Sequence, residues 1–181
     1  REATIYMGLG LSYWFLGQYQ QAVEYYQKSL VIWTKIADIK GEINSHIGLG
    51  SAYFPLKQYE KALDHYRQSL ASLTKIGDIK RKIAVYNQLG IAYKSLGKYQ
   101  EAIKYYQQSL AITTEIDDIR GQADSWFNLG LTFKKLDQKT KAINALNNAR
   151  KLYQEMELDK NAEDCSNQIN ALASSVSSSN R

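Results

Sequence analysis

The chain has 181 residues, 44% of them hydrophobic and 23% charged, with a formal charge of +5 and one cysteine, Cys165. That composition excludes a disordered chain, an internal disulfide and a multi-cysteine zinc site, and no apolar run reaches the ~18 residues that a bilayer span requires. A single proline, Pro55, disfavours a strand-and-turn-rich sandwich and makes helix the expected state.

In chain order the first residues are Arg1-Glu2-Ala3, with no initiator methionine and no apolar leader, so the chain is expected to be a piece of something longer, with further repeats upstream and a cytoplasmic setting. The first repeat, residues 1 to 40, carries Leu9-Gly10, Tyr13, Ala22, Tyr26 and Ser29. The second, 41 to 80, carries Leu49-Gly50, Tyr53, Ala62, Tyr66 and Ser69. The third, 81 to 120, has Leu89-Gly90, Tyr93, Ala102, Tyr106 and Ser109, and the fourth, 121 to 158, has Leu129-Gly130, Phe133, Ala142, Leu146 and Ala149. The register never slips: Gly10, Gly50, Gly90 and Gly130 are evenly spaced, and the second and third repeats agree at many further positions.

Within the third repeat, Ile83, Tyr86, Leu89, Gly90 and Tyr93 recur at helical spacing, Leu96-Gly97-Lys98 interrupts, and Tyr99, Ala102, Ile103, Tyr106, Leu110, Thr113 and Ile116 resume it. Each repeat therefore reads as helix, tight turn, helix. Gly17 and Gly97 suit a left-handed helix C-terminus. Asp38, Asp78 and Asp118 stand where a carboxylate caps the next helix. A mid-helix glycine costs ~1 kcal/mol relative to alanine, so four at one register predict close helix contact, with glycine facing alanine and the aromatics beside them. Beyond residue 158 the spacing of Ala162, Cys165, Ile169 and Leu172 predicts a terminal solvating helix over 159 to 173, and the Ser-rich stretch 174 to 181 is expected to be disordered.

Tyr6-x2-Leu9-Gly10-x2-Tyr13, Tyr86-x2-Leu89-Gly90-x2-Tyr93 and Trp126-x2-Leu129-Gly130-x2-Phe133 resemble the tetratricopeptide repeat signature, over residues 1 to about 158. The long period resembles the branch found in Pins/LGN-type polarity adaptors and bacterial signalling proteins. The resemblance implies an all-α, right-handed α-solenoid of four helix-turn-helix units plus a C-terminal helix, with a concave groove lined by the first helices. It further implies a non-catalytic scaffold that binds a protein or peptide in that groove. The alternative is a regulatory or self-associating module of a larger signalling protein, docking intramolecularly or oligomerising. His46 replaces an aromatic of the signature, and Thr34, Thr74, Thr114 and Gln154 stand where the common form ends its second helix with proline, which predicts longer second helices.

By the family register the groove positions are Met7, Leu11, Trp14 and Phe15 in the first repeat and Asn44, Ile47, Ser51 and Phe54 in the second. Asn87, Gln88, Ile91 and Lys94 follow in the third, and Asp124, Phe127, Asn128, Leu131, Lys134 and Lys135 in the fourth. Asn and Gln side chains suit the backbone of an extended peptide. Lys94, Lys134 and Lys135 beside Phe54, Ile91, Phe127 and Leu131 predict a ligand with apolar anchors and acidic residues. The lysine and asparagine clamp of family members that hold chaperone tails is absent, because its positions are Met7/Leu11, Ile47/Ser51, Asn87/Ile91 and Phe127/Leu131.

Other chemistry finds little support. Basic and acidic groups number 4 and 3 over residues 1 to 40, 5 and 4 over 41 to 80, 6 and 4 over 81 to 120 and 7 and 5 over 121 to 160, so no basic face marks a nucleic-acid binder. Gly8-Leu9-Gly10 and Gly48-Leu49-Gly50 lie inside helices and read as packing rather than phosphate loops. His46 and His65 occupy different repeat positions, far in sequence from Cys165, and make no catalytic set. Glu101, Glu115, Asp117 and Asp118 read as solvated faces and caps, so no metal or cofactor is expected. Tyr26 and Tyr106 are signature core positions, which leaves Tyr25 and Tyr105 on the convex side. Membrane insertion is not expected.

Overall fold

The structure, a computed structural model, describes residues 1 to 177, with side chains to residue 174. Its helices are α1 (Glu2–Phe15), α2 (Tyr19–Lys35), α3 (Ile39–Tyr53), α4 (Tyr59–Ile76), α5 (Ile79–Ser95), α6 (Tyr99–Glu115), α7 (Ile119–Lys135), α8 (Lys139–Glu155) and α9 (Asp159–Ser177). Among the described residues there is no strand. The chain divides into two compact units, Arg1–Leu96 with α1 to α5 and Gly97–Arg181 with α6 to α9. In the first, each helix packs on the next in sequence, from α1 through α5; in the second, α6 packs on α7, α7 on α8 and α8 on α9.

The caps form as the sequence predicts. Asp38, Asp78 and Asp118 accept from the backbone N–H of Gly41, Arg81 and Gly121 at 2.8, 3.0 and 3.0 Å. These bonds satisfy a donor that the first turn leaves without an intrahelical partner. The second helices run 17 or 18 residues, through Thr34, Thr74, Thr114 and Gln154, as expected where no proline stops them.

The turns follow a finer rhythm than the repeat. Gly17, Ala37, Lys57, Gly77, Gly97, Asp117, Asp137 and Glu157 all have positive φ, evenly spaced at half the repeat period. The residue after most of them bonds back to the last turn of the preceding helix, as in Gln18 N–H to the Tyr13 carbonyl at 2.9 Å and Asp38 N–H to the Trp33 carbonyl at 3.0 Å. This left-handed closure serves the corner inside a repeat and the corner between repeats alike. Only three of these positions are glycine, so strain remains at the others. Ala37→Gly is expected to raise stability by about 0.5–1 kcal/mol and Gly17→Ala to lower it by a similar amount, as read from chemical denaturation. Equal melts for both variants would contradict the turn geometry.

At the packing glycines the nearest atoms belong to the larger side chain beside the alanine of the expectation, and at Gly130 the Ala142 carbonyl also lies close, at 3.3 Å. A Cβ on Gly10 would stand 2.7 Å from the Tyr26 ring, and one on Gly50 2.5 Å from the Tyr66 ring. The glycine therefore seats the signature aromatic itself, because a planar ring laid flat on bare backbone buries more apolar area than two small residues in contact. In the second unit Gly130 seats Leu146 at 2.7 Å in the same way. Gly8 departs from the packing expectation, since nothing lies within 4 Å of its added Cβ.

At the C-terminal end α9 lays Ala162, Cys165 and Leu172 onto α7 and α8, with Trp126, Phe127, Leu152 and Ile169 packed around them. The helix continues to Ser177, past residue 173, so 174 to 177 are helical and not part of a disordered tail. Residues 178 to 181, where the rest of that tail was expected, lie outside the described residues.

Candidate functional site

In the first unit, Met7, Leu11 and Trp14 recur at i, i+4 and i+7 on α1, and Asn44, Ile47 and Ser51 at i, i+3 and i+7 on α3, so each trio occupies one helix face. The structure brings all six together. They line a pocket of about 290 Å³, with Tyr26 and Gly48 completing the wall. The bare Gly48 backbone lets the Tyr26 ring approach, since an added Cβ there would meet it at 2.8 Å. Tyr26 thus lies between Gly10 of its own repeat and Gly48 of the next.

Hydrogen bonds hold the rim. The Trp14 indole N–H donates to the Ser51 carbonyl at 3.0 Å, tying α1 to α3. Arg81 donates from Nη1 to Asn44 Oδ1 at 2.7 Å and from Nε to Asp78 Oδ2 at 2.8 Å. The backbone N–H of Arg81, and then its guanidinium, hold the Asp78 carboxyl below the usual carboxylate range. The pocket lining itself carries no charged side chain. Such a site suits an apolar group, with Asn44 and Ser51 offering polar contacts at its edge.

The remaining groove candidates fall outside this pocket. Phe15 is 74% exposed and meets Trp14 edge-on at 5.2 Å, and the Phe54 ring lies 5.2 Å from that of Tyr59. On α5, Asn87, Gln88, Ile91 and Lys94 are half-buried, and Asn87 Oδ1 is buried without a partner. In the second unit several candidates are committed to internal contacts. Asp124 accepts from the Tyr153 hydroxyl at 2.6 Å and lies 3.4 Å from Arg120, Phe127 packs into the α7–α9 core, and Lys134 donates to Gln168 of α9 at 2.8 Å. Asn128 and Leu131 are half-buried, and Lys135 is exposed.

His46 and His65, separate in repeat position, meet between α3 and α4 with their Nδ1 atoms 3.0 Å apart, and His65 stacks on Tyr53 at 5.5 Å. The signal was faint: the equivalent places in the first repeat also bring Tyr6 and Tyr25 together, their rings 6.1 Å apart. Tyr25 also stacks on Tyr13 at 5.2 Å and lies under Lys28. Burial pushes the Cys165 thiol up to about 11, which keeps it protonated and unreactive at neutral pH. Among the described residues no three metal-ligating side chains gather, and no helix is long and apolar enough to cross a membrane.

A family model described as the tetratricopeptide repeat matches residues 1–75 and 81–155. No curated protein matches in sequence. Among solved structures, the chain is similar to a Signal Transduction ATPase with Numerous Domains protein with a tetratricopeptide repeat sensor from Pyrococcus horikoshii, at 22% identity and TM-score 0.87, covering 92% of this chain and 26% of that one. It is also similar to the apo form of RapI, at 15% identity and TM-score 0.83, covering 98% and 69%. A Rap protein complexed with competence and sporulation factor follows at 21% identity and TM-score 0.79, covering 98% and 54%. The chain therefore spans about a quarter of the first structure and between half and seven tenths of the other two, and the likeness concerns the fold.

Proposed function

Because the chain belongs to the tetratricopeptide repeat family, we propose that it is a non-catalytic protein-interaction module whose first unit takes an apolar anchor residue of a partner polypeptide into the α1/α3 pocket. The observation that carries this reading is that six positions that the family resemblance assigns to the groove line one pocket. At about 290 Å³ the pocket lies at the small end of ligand sites, which suits one or two side chains of a peptide better than an extended small molecule. Trp14 supplies the kind of rigid aromatic surface that dominates binding energy, and Met7 adapts to the shape of the anchor. Asn44 and Ser51 stand at the rim for the backbone of the bound segment. The Rap structure complexed with competence and sporulation factor supports ligand binding by this fold. The acidic character expected of the ligand loses one of its three lysines, since Lys134 already holds Gln168.

A second reading, in which the groove takes a segment of the same longer protein and serves regulation, is favoured by the likeness to a tetratricopeptide repeat sensor inside a multidomain ATPase. One experiment tests the shared premise. Peptides selected from a displayed random library on this chain are titrated against wild type, Leu11→Asp and Ile47→Asp. Leu11 is 48% exposed, so its substitution leaves the core intact. Loss of about 30-fold or more in affinity is expected in both variants, in line with ~2 kcal/mol for a central anchor contact. Unchanged affinity in both would remove the pocket from the binding surface.

A further inference from the structure

One contact outside the α1/α3 pocket recurs at the repeat spacing. Gln27 of α2 donates to the Tyr53 hydroxyl of α3 at 3.1 Å, and one repeat further on, Arg67 of α4 donates to the Tyr93 hydroxyl of α5. The third place in the series, in the second unit, pairs Gln107 of α6 with Phe133 of α7, which has no hydroxyl to offer. There a cleft of about 540 Å³ opens, lined by Lys104, Gln107, Phe133, Gln138 and Lys141 over the apolar side of Ile103.

Charge changes at the same place. Where the earlier repeats carry Glu24 and Asp64, this one carries Lys104, and no carboxylate lines the cleft. Lys141 reaches over the Phe133 ring, its ammonium 5.7 Å from the ring centroid. Asp137, at the same corner, lies 4.0 Å from Lys139. Gln138, like Gln58 at the equivalent turn, keeps a buried side-chain oxygen without a partner. The cleft offers two ammonium groups, the amide N–H donors of Gln100 and Gln107 and an aromatic face, a set that answers to carboxylates on short methylene stems, whereas the Gln138 oxygen is an acceptor and makes no bond to a carboxylate. Its volume far exceeds that of one tetrahedral oxyanion.

We propose that this cleft is a binding site for an acidic segment of a partner polypeptide, with glutamate or aspartate carboxylates held by Lys104 and Lys141 and the adjoining methylenes laid on Phe133. No residue of the α1/α3 pocket takes part, so Leu11→Asp leaves this site unchanged and the two readings fail separately.

The test is an NMR titration of the isotope-labelled chain with hexaglutamate and, in a separate arm, with inorganic phosphate, read at the side-chain amides of Gln107 and Gln138. Hexaglutamate is expected to move both signals in wild type, and to bind at least tenfold more weakly to Lys104→Gln/Lys141→Gln. It is expected to bind at least tenfold more weakly to Phe133→Tyr as well, which keeps both lysines but restores the hydroxyl that Tyr53 and Tyr93 provide; thermal melts establish that this variant is folded. Three results would overturn the proposal: unmoved amide signals with hexaglutamate, wild-type affinity in Phe133→Tyr, which would reduce the effect to general attraction by surface lysines, or a response to phosphate alone, which would assign the cleft to phosphoryl groups.

Discussion

Gly50→Ala is expected to destabilise the chain by about 1–3 kcal/mol, although alanine is the better helix former by ~1 kcal/mol. The added Cβ would stand 2.5 Å from the Tyr66 ring, and Tyr66 is completely buried, so neither the ring nor α4 has room to retreat. The Tyr66 hydroxyl lies 3.3 Å from Ser51 Oγ, so a shifted ring also disturbs that contact and the wall of the adjoining pocket. Gly8→Ala serves as the counterpart. Gly8 is also inside a helix, but with open space around it, and alanine there is expected to gain up to ~1 kcal/mol from helix propensity alone. Urea denaturation of the two variants distinguishes them by sign. If Gly50→Ala were neutral or stabilising, the ring would not be seated on the glycine.

Acid is expected to weaken the first unit as pH falls from about 6.5 toward 4. His46 and His65 share one proton across 3.0 Å, and a second would set two N–H donors against each other. Burial, and then the charge of His46, lower His65 to about 4, against the opposing pull of Asp64; burial also lowers His46, against that of Glu42. Tyr53 stacks on His65 and lies beneath Lys61. Histidines held neutral contribute their full stability above the unfolded value of ~6.5, and that contribution falls away as pH drops toward 4, because the unfolded chain binds protons first. The shift of His65 alone corresponds to ~3 kcal/mol if unscreened; for a half-buried pair the loss is on the order of 1–2 kcal/mol. His65→Phe keeps the stack on Tyr53 without the titration, so its stability between pH ~6.5 and ~4.5 is expected to vary less than that of wild type. Parallel curves would show that the pair does not titrate on unfolding. Asp78, held below its ordinary value, acts in a separate window at lower pH.

Much of the architecture was legible because it rests on local chemistry. An evenly spaced recurrence of Leu-Gly, aromatic and alanine marks helix pairs wherever it occurs, and an aspartate before a helical pattern caps it through its own backbone, as Asp38, Asp78 and Asp118 do. Met7, Leu11, Trp14, Asn44, Ile47 and Ser51, which the family resemblance places in the groove, line one pocket of the first unit.

What the tertiary structure decided are the matters in which a side chain answers to a neighbour distant in sequence. Glycine spacing alone did not tell which side chain lies nearest the gap; at Gly10 and Gly50 it is the tyrosine ring and at Gly130 Leu146. Ala37, Lys57, Asp117, Asp137 and Glu157 lack the glycine that marks a left-handed turn by residue type, and take that conformation although an L side chain disfavours it. The histidine pair, the bond from Lys134 to Gln168 and the cleft lined by Phe133 depend on which helix lies opposite, because each draws its partners from different helices. Local periodicity determines helices and their faces, whereas close packing between them determines which polar groups are matched and which are left open for a partner.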